Sequence, residues 1–140
     1  MFKDFPLPNH ANAFKAAEAA HCAGEQGKYW EMHDRMFGDQ RALEVPALKQ
    51  SAAGLGLNAA AFNQCLESGK FADVIKEDMA LGEKMGVNST PTIYINGREY
   101  DRSQEIGDWL TMELELLGEG KSAQPPASVQ PPPPAASGDK

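Results

Sequence analysis

The sequence has 140 residues, 41% hydrophobic and 24% charged, which is typical of one globular domain. Its formal net charge of −7 argues against nucleic-acid binding and against docking on an anionic membrane, because both depend on clustered Lys and Arg. No apolar run approaches the roughly 20 residues of a membrane span. We therefore expect no nucleic-acid partner and no membrane span.

The first half of the chain predicts one short strand followed by helices. Residues 2–5 are a short strand candidate, which the prolines of 6–8 end. Helices are then indicated by composition, spacing and capping residues at 12–23, 28–37, 45 to 54 or 56, 58–69 and 71–85. Pro46 suits a first helical turn, and Asn58 suits an N-cap.

The pattern changes near the C-terminal end of this region. Residues 92–95 are β-branched and aromatic, and Asn96-Gly97 after them predicts a hairpin, because a type I′ turn needs positive φ at both central residues. Residues 99–100 would begin the return strand. An amphipathic helix is predicted at 103–117, with the apolar positions Ile106, Leu110, Met112, Leu114 and Leu117.

Composition shifts again at the tail, 118–140, which consists largely of Gly, Ser, Ala, Gln and Pro. Such a segment buries too little apolar surface to offset its ordering entropy. We predict a disordered, partly polyproline-II tail that serves for solubility or as a tether. A proline run is also typical of SH3-type ligands.

Several blocks carry a resemblance to one family. Residues 86–97 read Gly-Val-Asn-Ser-Thr-Pro-Thr-Ile-Tyr-Ile-Asn-Gly and resemble the segment of thioredoxin-fold oxidoreductases in which Thr-Pro is a cis peptide. Residues 2–8, 16–23, 25–34 and 62–69 are similar to the DsbA-like family of bacterial thiol oxidoreductases. The resemblance implies an α/β, thioredoxin-like fold with a helical insertion over 1–117. It also implies that Thr90 and Pro91 bind extended protein substrates, by analogy with strand addition.

One departure from that family is severe. Its redox Cys-x-x-Cys opens a helix that precedes the block matching residues 2–8, and this sequence starts at that block. We therefore expect the N-terminal βα unit and the catalytic cysteines to lie upstream, in a longer protein-disulfide oxidoreductase with a redox partner protein. The resemblance implies a periplasmic or extracytoplasmic protein, although this sequence carries no export signal.

Cys22 and Cys65 are the two cysteines of the sequence, and their separation matches no zinc or thioredoxin motif. They are either two buried thiols or, in the setting of this family, a structural disulfide across the insertion. His10, His21 and His33 have no metal-ligand spacing and are interpreted as surface or core residues. No metal, cofactor or catalytic residue is expected in this chain.

Other residues have simple structural interpretations. Trp30 is read as a core anchor, and Met32, Met36, Met79 and Met85 as fillers of core gaps. Glu113 and Glu115 do not face each other on a helix and are expected at the surface. Two further hypotheses stay open for the whole chain: a non-catalytic peptide-binding module and a decayed remnant. A glutathione-dependent enzyme of the same superfamily is also not excluded.

Overall fold

A computed structural model describes residues 1–118 of the chain. Its elements in chain order are α1 (Ala13–Gly24), α2 (Tyr29–Gly38), α3 (Val45–Gly54), α4 (Ala59–Ser68), α5 (Ala72–Lys84), β1 (Tyr94–Ile95), β2 (Arg98–Glu99) and α6 (Ile106–Gly118). The chain divides within α5 into two compact units, 1–81 and 82 onward. The predicted tail, 118–140, lies outside the described residues except for Gly118, which ends α6.

The first unit is a bundle of helices around one apolar core. α1 supplies mainly small side chains, including the fully buried Ala19 and Ala23, and it therefore lets α2 and α4 pack closely against it. Larger buried side chains fill the space between the helices: Met32 from α2, Leu48 from α3 and Phe62 from α4. The core therefore consists mainly of side chains from helices that follow one another in sequence.

A polar contact also joins α1 to α4. Glu18 is buried, at 1% exposure, and its Oε2 lies 2.6 Å from the ammonium of Lys15. The same ammonium donates to the carbonyl of Leu66 at 3.1 Å. A buried carboxylate needs such a partner, because its desolvation is otherwise costly.

The predicted helices of this unit are confirmed, and their ends lie within one or two residues of the expected positions. Pro46 lies in the first turn of α3, where its missing N–H costs nothing. Asn58 is the N-cap of α4, and its side-chain oxygen accepts a hydrogen bond from the N–H of Ala61 at 3.0 Å. The capping chemistry therefore set these boundaries as expected.

The strand predicted at 2–5 is wrong. A strand requires a hydrogen-bonded neighbour, and no described strand pairs with this segment. The N–H of Asp4 instead donates to the carboxylate of Asp78 on α5 at 3.1 Å. Contacts with Asp78 on α5 and His21 on α1 thus hold these residues as an N-terminal arm.

The second unit contains the predicted hairpin. β1 and β2 are antiparallel, with Tyr94 opposite Glu99 and Ile95 opposite Arg98. Asn96 and Gly97 have φ of 52° and 81°, which confirms the turn with two positive φ values that Asn-Gly predicts. The described residues form a sheet of these two strands alone.

The last helix begins later than predicted, at Ile106 instead of residue 103. The side chain of Asp101 accepts a hydrogen bond from the N–H of Ser103 at 2.9 Å, and its carbonyl accepts one from Gln104 at 3.1 Å. Asp commonly makes such a side-chain turn. The turn occupies the residues that would otherwise form the first helical turn.

The buried face of α6 is not the face that its apolar pattern predicts. The buried residues of the helix are Trp109 and Glu113, whereas four of the five predicted apolar positions are exposed: Ile106, Leu110, Leu114 and Leu117. Contacts with the hairpin thus set the buried face of α6. Among the described residues, no helix has the length and apolar character needed to cross a membrane.

Candidate functional site

The segment that joins α5 to the hairpin is exposed and begins at a defined helix end. The N–H of Val87 donates to the carbonyl of Gly82 at 2.9 Å, and that of Gly86 donates to Glu83 at 3.0 Å. This pair of bonds forms a Schellman motif, which needs a left-handed residue, here Gly86 with φ of 79°. The motif stops the helix and directs the chain into the segment that contains Thr90 and Pro91.

The peptide bond between Thr90 and Pro91 is cis, and both residues are exposed. The hydroxyl of Thr92 donates to the carbonyl of Ser89 at 2.7 Å across this bond. The side-chain bond therefore closes a turn around the Thr90–Pro91 pair and leaves its outer surface accessible.

A free backbone edge continues from this turn. The N–H of Tyr100 donates to the carbonyl of Ile93 at 2.7 Å, which extends the pairing of β1 with β2 on one side. In the part of the chain that the structure describes, no strand pairs with the other side of β1. Neither the N–H nor the carbonyl of Thr90 makes a backbone hydrogen bond with a described residue. Such an edge is able to accept an added strand.

A buried carboxylate on α6 supports the hairpin. Glu113 is 2% exposed, and its Oε1 lies 3.2 Å from the guanidinium of Arg98, an ion pair without hydrogen-bond alignment. Its Oε2 accepts a bond from the Asn96 amide at 3.4 Å. The Arg98 guanidinium also lies 5.4 Å from the ring centre of Trp109. The expectation that Glu113 lies at the surface is therefore wrong, whereas Glu115 is exposed.

Tyr94 fixes the other end of the hairpin. Its hydroxyl donates to the carbonyl of Met85 at 3.0 Å, just past the end of α5. Burial, followed by the negative charge of Glu99, raises the pKa of the Tyr94 phenol. The hairpin is thus tied to the end of α5 on one side and to α6 on the other.

Cys22 and Cys65 are joined by a disulfide with an S–S distance of 2.02 Å. The bond connects α1 to α4, and its residues are 1% and 6% exposed. These are the two cysteines of the sequence. Both therefore belong to a buried structural bridge, and they lie in the first unit, whereas Thr90 and Pro91 lie in the second.

A buried polar cluster surrounds the N-terminal arm. The carboxylate of Asp4 accepts a hydrogen bond from His21 Nε2 at 2.7 Å, and Lys3 donates to Asp78 at 2.5 Å. Burial, followed by the charges of Asp4 and Asp78, raises the pKa of Tyr29 to about 12. The sequence carried no local signal for this cluster, because Asp4 and Asp78 are 74 residues apart.

The remaining candidates are dispersed. Trp30 is 56% exposed and is not a core anchor, because its ring packs against Phe2 and His33 on the outer surface of α2. Met32 is fully buried, as expected, whereas Met36, Met79 and Met85 are partly exposed. Within residues 1–118, no three His, Cys, Asp or Glu side chains are close enough to hold a metal ion.

Comparison with known proteins identifies the family of the chain. A family profile described as Thioredoxin matches residues 1–112, and the chain belongs to this thioredoxin-like family. It is 36% identical over 107 residues to a protein from Salinispora arenicola named Na(+)/H(+) antiporter NhaA 1, covering 76% of the chain and 16% of that protein. It is also 36% identical over 118 residues to Na(+)/H(+) antiporter NhaA of Herminiimonas arsenicoxydans, covering 84% and 19%.

The relationship concerns a small part of each relative. The chain spans less than a fifth of the length of the curated relatives it matches. No solved structure matches the chain significantly. The family assignment therefore describes this region alone.

Proposed function

We propose that this chain is a DsbA-like thioredoxin domain that binds extended segments of protein substrates during thiol–disulfide exchange. The observation that supports the proposal most strongly is the unpaired edge of β1, which is preceded by the exposed Thr90–Pro91 turn. An extended peptide at this edge would gain main-chain hydrogen bonds, and side-chain contacts would add selectivity. In this interpretation the helices of the first unit form the DsbA-like helical insertion.

The cysteines limit what the chain does by itself. Cys22 and Cys65 are bonded to each other and buried, and the reactive species in disulfide exchange is an accessible thiolate. We therefore assign the redox cysteines to a segment outside this sequence, on the same longer polypeptide or on a redox partner. The domain described here would hold the substrate.

A structural disulfide also favours a location. Disulfides persist mainly in oxidising compartments, so we propose a periplasmic or other extracytoplasmic position for this domain. The similarity to regions of proteins named as Na(+)/H(+) antiporters adds the hypothesis that the domain is one part of a much longer protein.

A second candidate function follows from the same cysteine pair. Because the chain has no accessible thiol of its own, it would also serve as a non-catalytic peptide-binding module. The two functions share the peptide site and differ in redox turnover. The longer protein would oxidise a reduced substrate in the first case and would bind it without changing its thiols in the second.

Titration of the ¹⁵N-labelled chain with a reduced, unfolded secreted protein tests the shared site. We expect chemical-shift changes at residues 88–95 and little change in the first unit. Ile93 is 38% exposed, and Ile93→Lys should weaken binding about tenfold by placing a charge beside the edge. Leu110→Lys is the matched control, because Leu110 is 43% exposed on α6. Equal binding by both variants, or shifts confined to the first unit, would contradict the proposal.

A further inference from the structure

Asn96 and Gly97 form the tip of the hairpin between β1 and β2. Both residues are exposed, and both have positive φ. The N–H of Gly97 donates no hydrogen bond to a described residue. A Cβ added to Gly97 would meet no atom of the described chain within 4 Å beyond its immediate neighbours. The backbone nitrogen that follows Asn96 is therefore accessible and carries no side chain beside it.

Asn-Gly is a reactive pair whose chemistry needs no reagent besides water. The backbone nitrogen of Gly97 attacks the side-chain carbonyl carbon of Asn96, so that an N–C bond forms, the side-chain amide C–N bond breaks, and ammonia leaves with the proton of the Gly97 nitrogen. Water then opens the resulting succinimide ring at either carbonyl and yields Asp or isoaspartate at position 96. Asn is among the thermolabile residues, and Gly hinders the attack least because it has no Cβ.

The Asn96 amide is weakly held in the closed hairpin. It donates to Oε2 of the buried Glu113 at 3.4 Å, which is long for an N–H···O bond. A two-stranded hairpin is marginal by itself, and regions that bury few apolar side chains open more readily than a packed core. Each opening of the hairpin frees the Asn96 side chain to approach the nitrogen of Gly97.

We propose that Asn96 is a deamidation site and that the reaction permanently weakens the hairpin. The product carries a carboxylate in place of the amide, close to the carboxylate of Glu113. Glu113 is 2% exposed, and two like charges at such a site repel each other strongly. The guanidinium of Arg98 lies 3.2 Å from Glu113 Oε1, so this cation already has a partner.

The isoaspartate product changes the backbone as well. It routes the main chain through the former side-chain carbonyl, which adds one methylene group to the turn. A two-residue hairpin loop sets the strand register through its backbone geometry, so the added group would displace β1 from β2. The modification therefore weakens the hairpin through both charge and backbone length. Neither effect depends on the proposed peptide site.

The first test follows the reaction in the full 140-residue chain. The chain would be incubated at mildly alkaline pH, which promotes the attack by the Gly97 nitrogen, then digested at acidic pH for mass spectrometry. We expect a hydroxyl in place of the amide NH2 at position 96, in separable Asp and isoaspartate forms. Asn88 is exposed and is followed by Ser89, so it is the internal control and should remain largely intact when most of Asn96 has reacted. Equal loss at both positions, or none at position 96, would overturn the site.

The second test separates the added charge from the lost amide. Asn96→Asp carries the charge of the product, whereas Asn96→Gly removes the amide, adds no charge and adopts positive φ readily. Hydrogen exchange of the hairpin amides at 94–99 should be about tenfold faster in Asn96→Asp than in Asn96→Gly, because one like-charge contact at a buried carboxylate is expected to cost roughly that factor. Amides of α1 and α4 in the first unit serve as the reference and should exchange equally in both variants. Equal or slower exchange of the hairpin in Asn96→Asp would overturn the proposed effect of deamidation.

Discussion

The two units of this chain differ in how they bury their side chains. In the first unit, ten residues from four neighbouring helices and their connections form one continuous core, and a disulfide joins α1 to α4. In the described part of the second unit, the buried residues are Trp109 and Glu113, while Leu110 and Leu114 are exposed. One unit is held by apolar packing and a covalent bond, and the other mainly by polar contacts around a hairpin.

The first unit therefore contains the well-packed core, whereas the proposed peptide-binding edge lies in the second unit. A two-stranded hairpin is marginally stable without further cover, and regions with little buried apolar surface open more readily than a packed core. The edge proposed to bind peptides lies in that less buried unit. Substitutions in the first unit should therefore lower the hydrogen-exchange protection of amides in that unit. Substitutions around Glu113 should lower the protection of the hairpin amides.

The largest effect is expected from Phe62→Ala. Phe62 is fully buried in the core of the first unit, and truncating such a ring costs about 3–5 kcal/mol through lost transfer energy and a cavity. Native-state hydrogen exchange should show this loss at core amides of α1 and α4. Phe37→Ala is the matched control, because Phe37 is 63% exposed and should cost less than about 1 kcal/mol. Equal losses from both variants would contradict the assigned core.

Removal of the disulfide should have the next largest effect. The bridge spans a sequence separation of 43 residues, and the chain-entropy model assigns such a loop about 4 kcal/mol of stabilisation. The double variant Cys22→Ala with Cys65→Ala should lose up to that amount in the first unit by hydrogen exchange. Protection of the hairpin amides at 94–99 should stay the same. Equal loss in both units would remove the distinction between them.

Glu113→Gln should loosen the hairpin. The change removes the negative charge 3.2 Å from Arg98 and leaves a partly buried guanidinium without its partner, at a cost of about 1–3 kcal/mol. The measurement is exchange of the Arg98 and Tyr100 amides. Glu115→Gln, at an exposed position of the same helix, should have no measurable effect. A similar result for both would mean that Glu113 does not support the hairpin.

The smallest effect is a change of stability at alkaline pH. The pKa of Tyr29 is raised from 10.0 to about 12 by burial and by Asp4 and Asp78. The folded state thus retains a proton that the unfolded state releases near pH 10. The free energy of unfolding should be constant below about pH 10 and should fall as the pH rises toward 12. Denaturant titrations over this range should show a shallower fall in Tyr29→Phe. If the free energy of unfolding falls equally in Tyr29→Phe and in the unaltered chain, other groups cause the pH dependence.

Local signals predicted much of the fold. The capping residue Asn58, the first-turn Pro46 and the Asn96-Gly97 turn act through neighbouring backbone atoms, and the structure has each of them as expected. The start of α6 was missed because the side chain of Asp101 forms a competing turn with Ser103. Predictions that depended on a few adjacent residues therefore succeeded, except where two local motifs competed.

Contacts between distant residues were harder to predict. The sequence predicts a strand at residues 2–5. In the structure, the N–H of Asp4 donates a hydrogen bond to Asp78, which is 74 residues away, and no local pattern indicates this contact. The burial of Glu113 depends on Arg98 across the hairpin, and the exposure of Trp30 depends on which helix faces remain uncovered. The segment containing Thr90 and Pro91 was located from its sequence pattern, whereas the free edge beside it required the structure.

Site-specific photo-crosslinking tests the central claim most directly. A photoreactive amino acid would replace Thr90 in one preparation and Thr111, an exposed residue of α6, in another. Each preparation would be irradiated with a reduced, unfolded secreted protein. The proposed peptide site predicts a covalent adduct from position 90 and little from position 111. Equal adducts from both positions, or none from position 90, would contradict substrate binding at the Thr90–Pro91 edge.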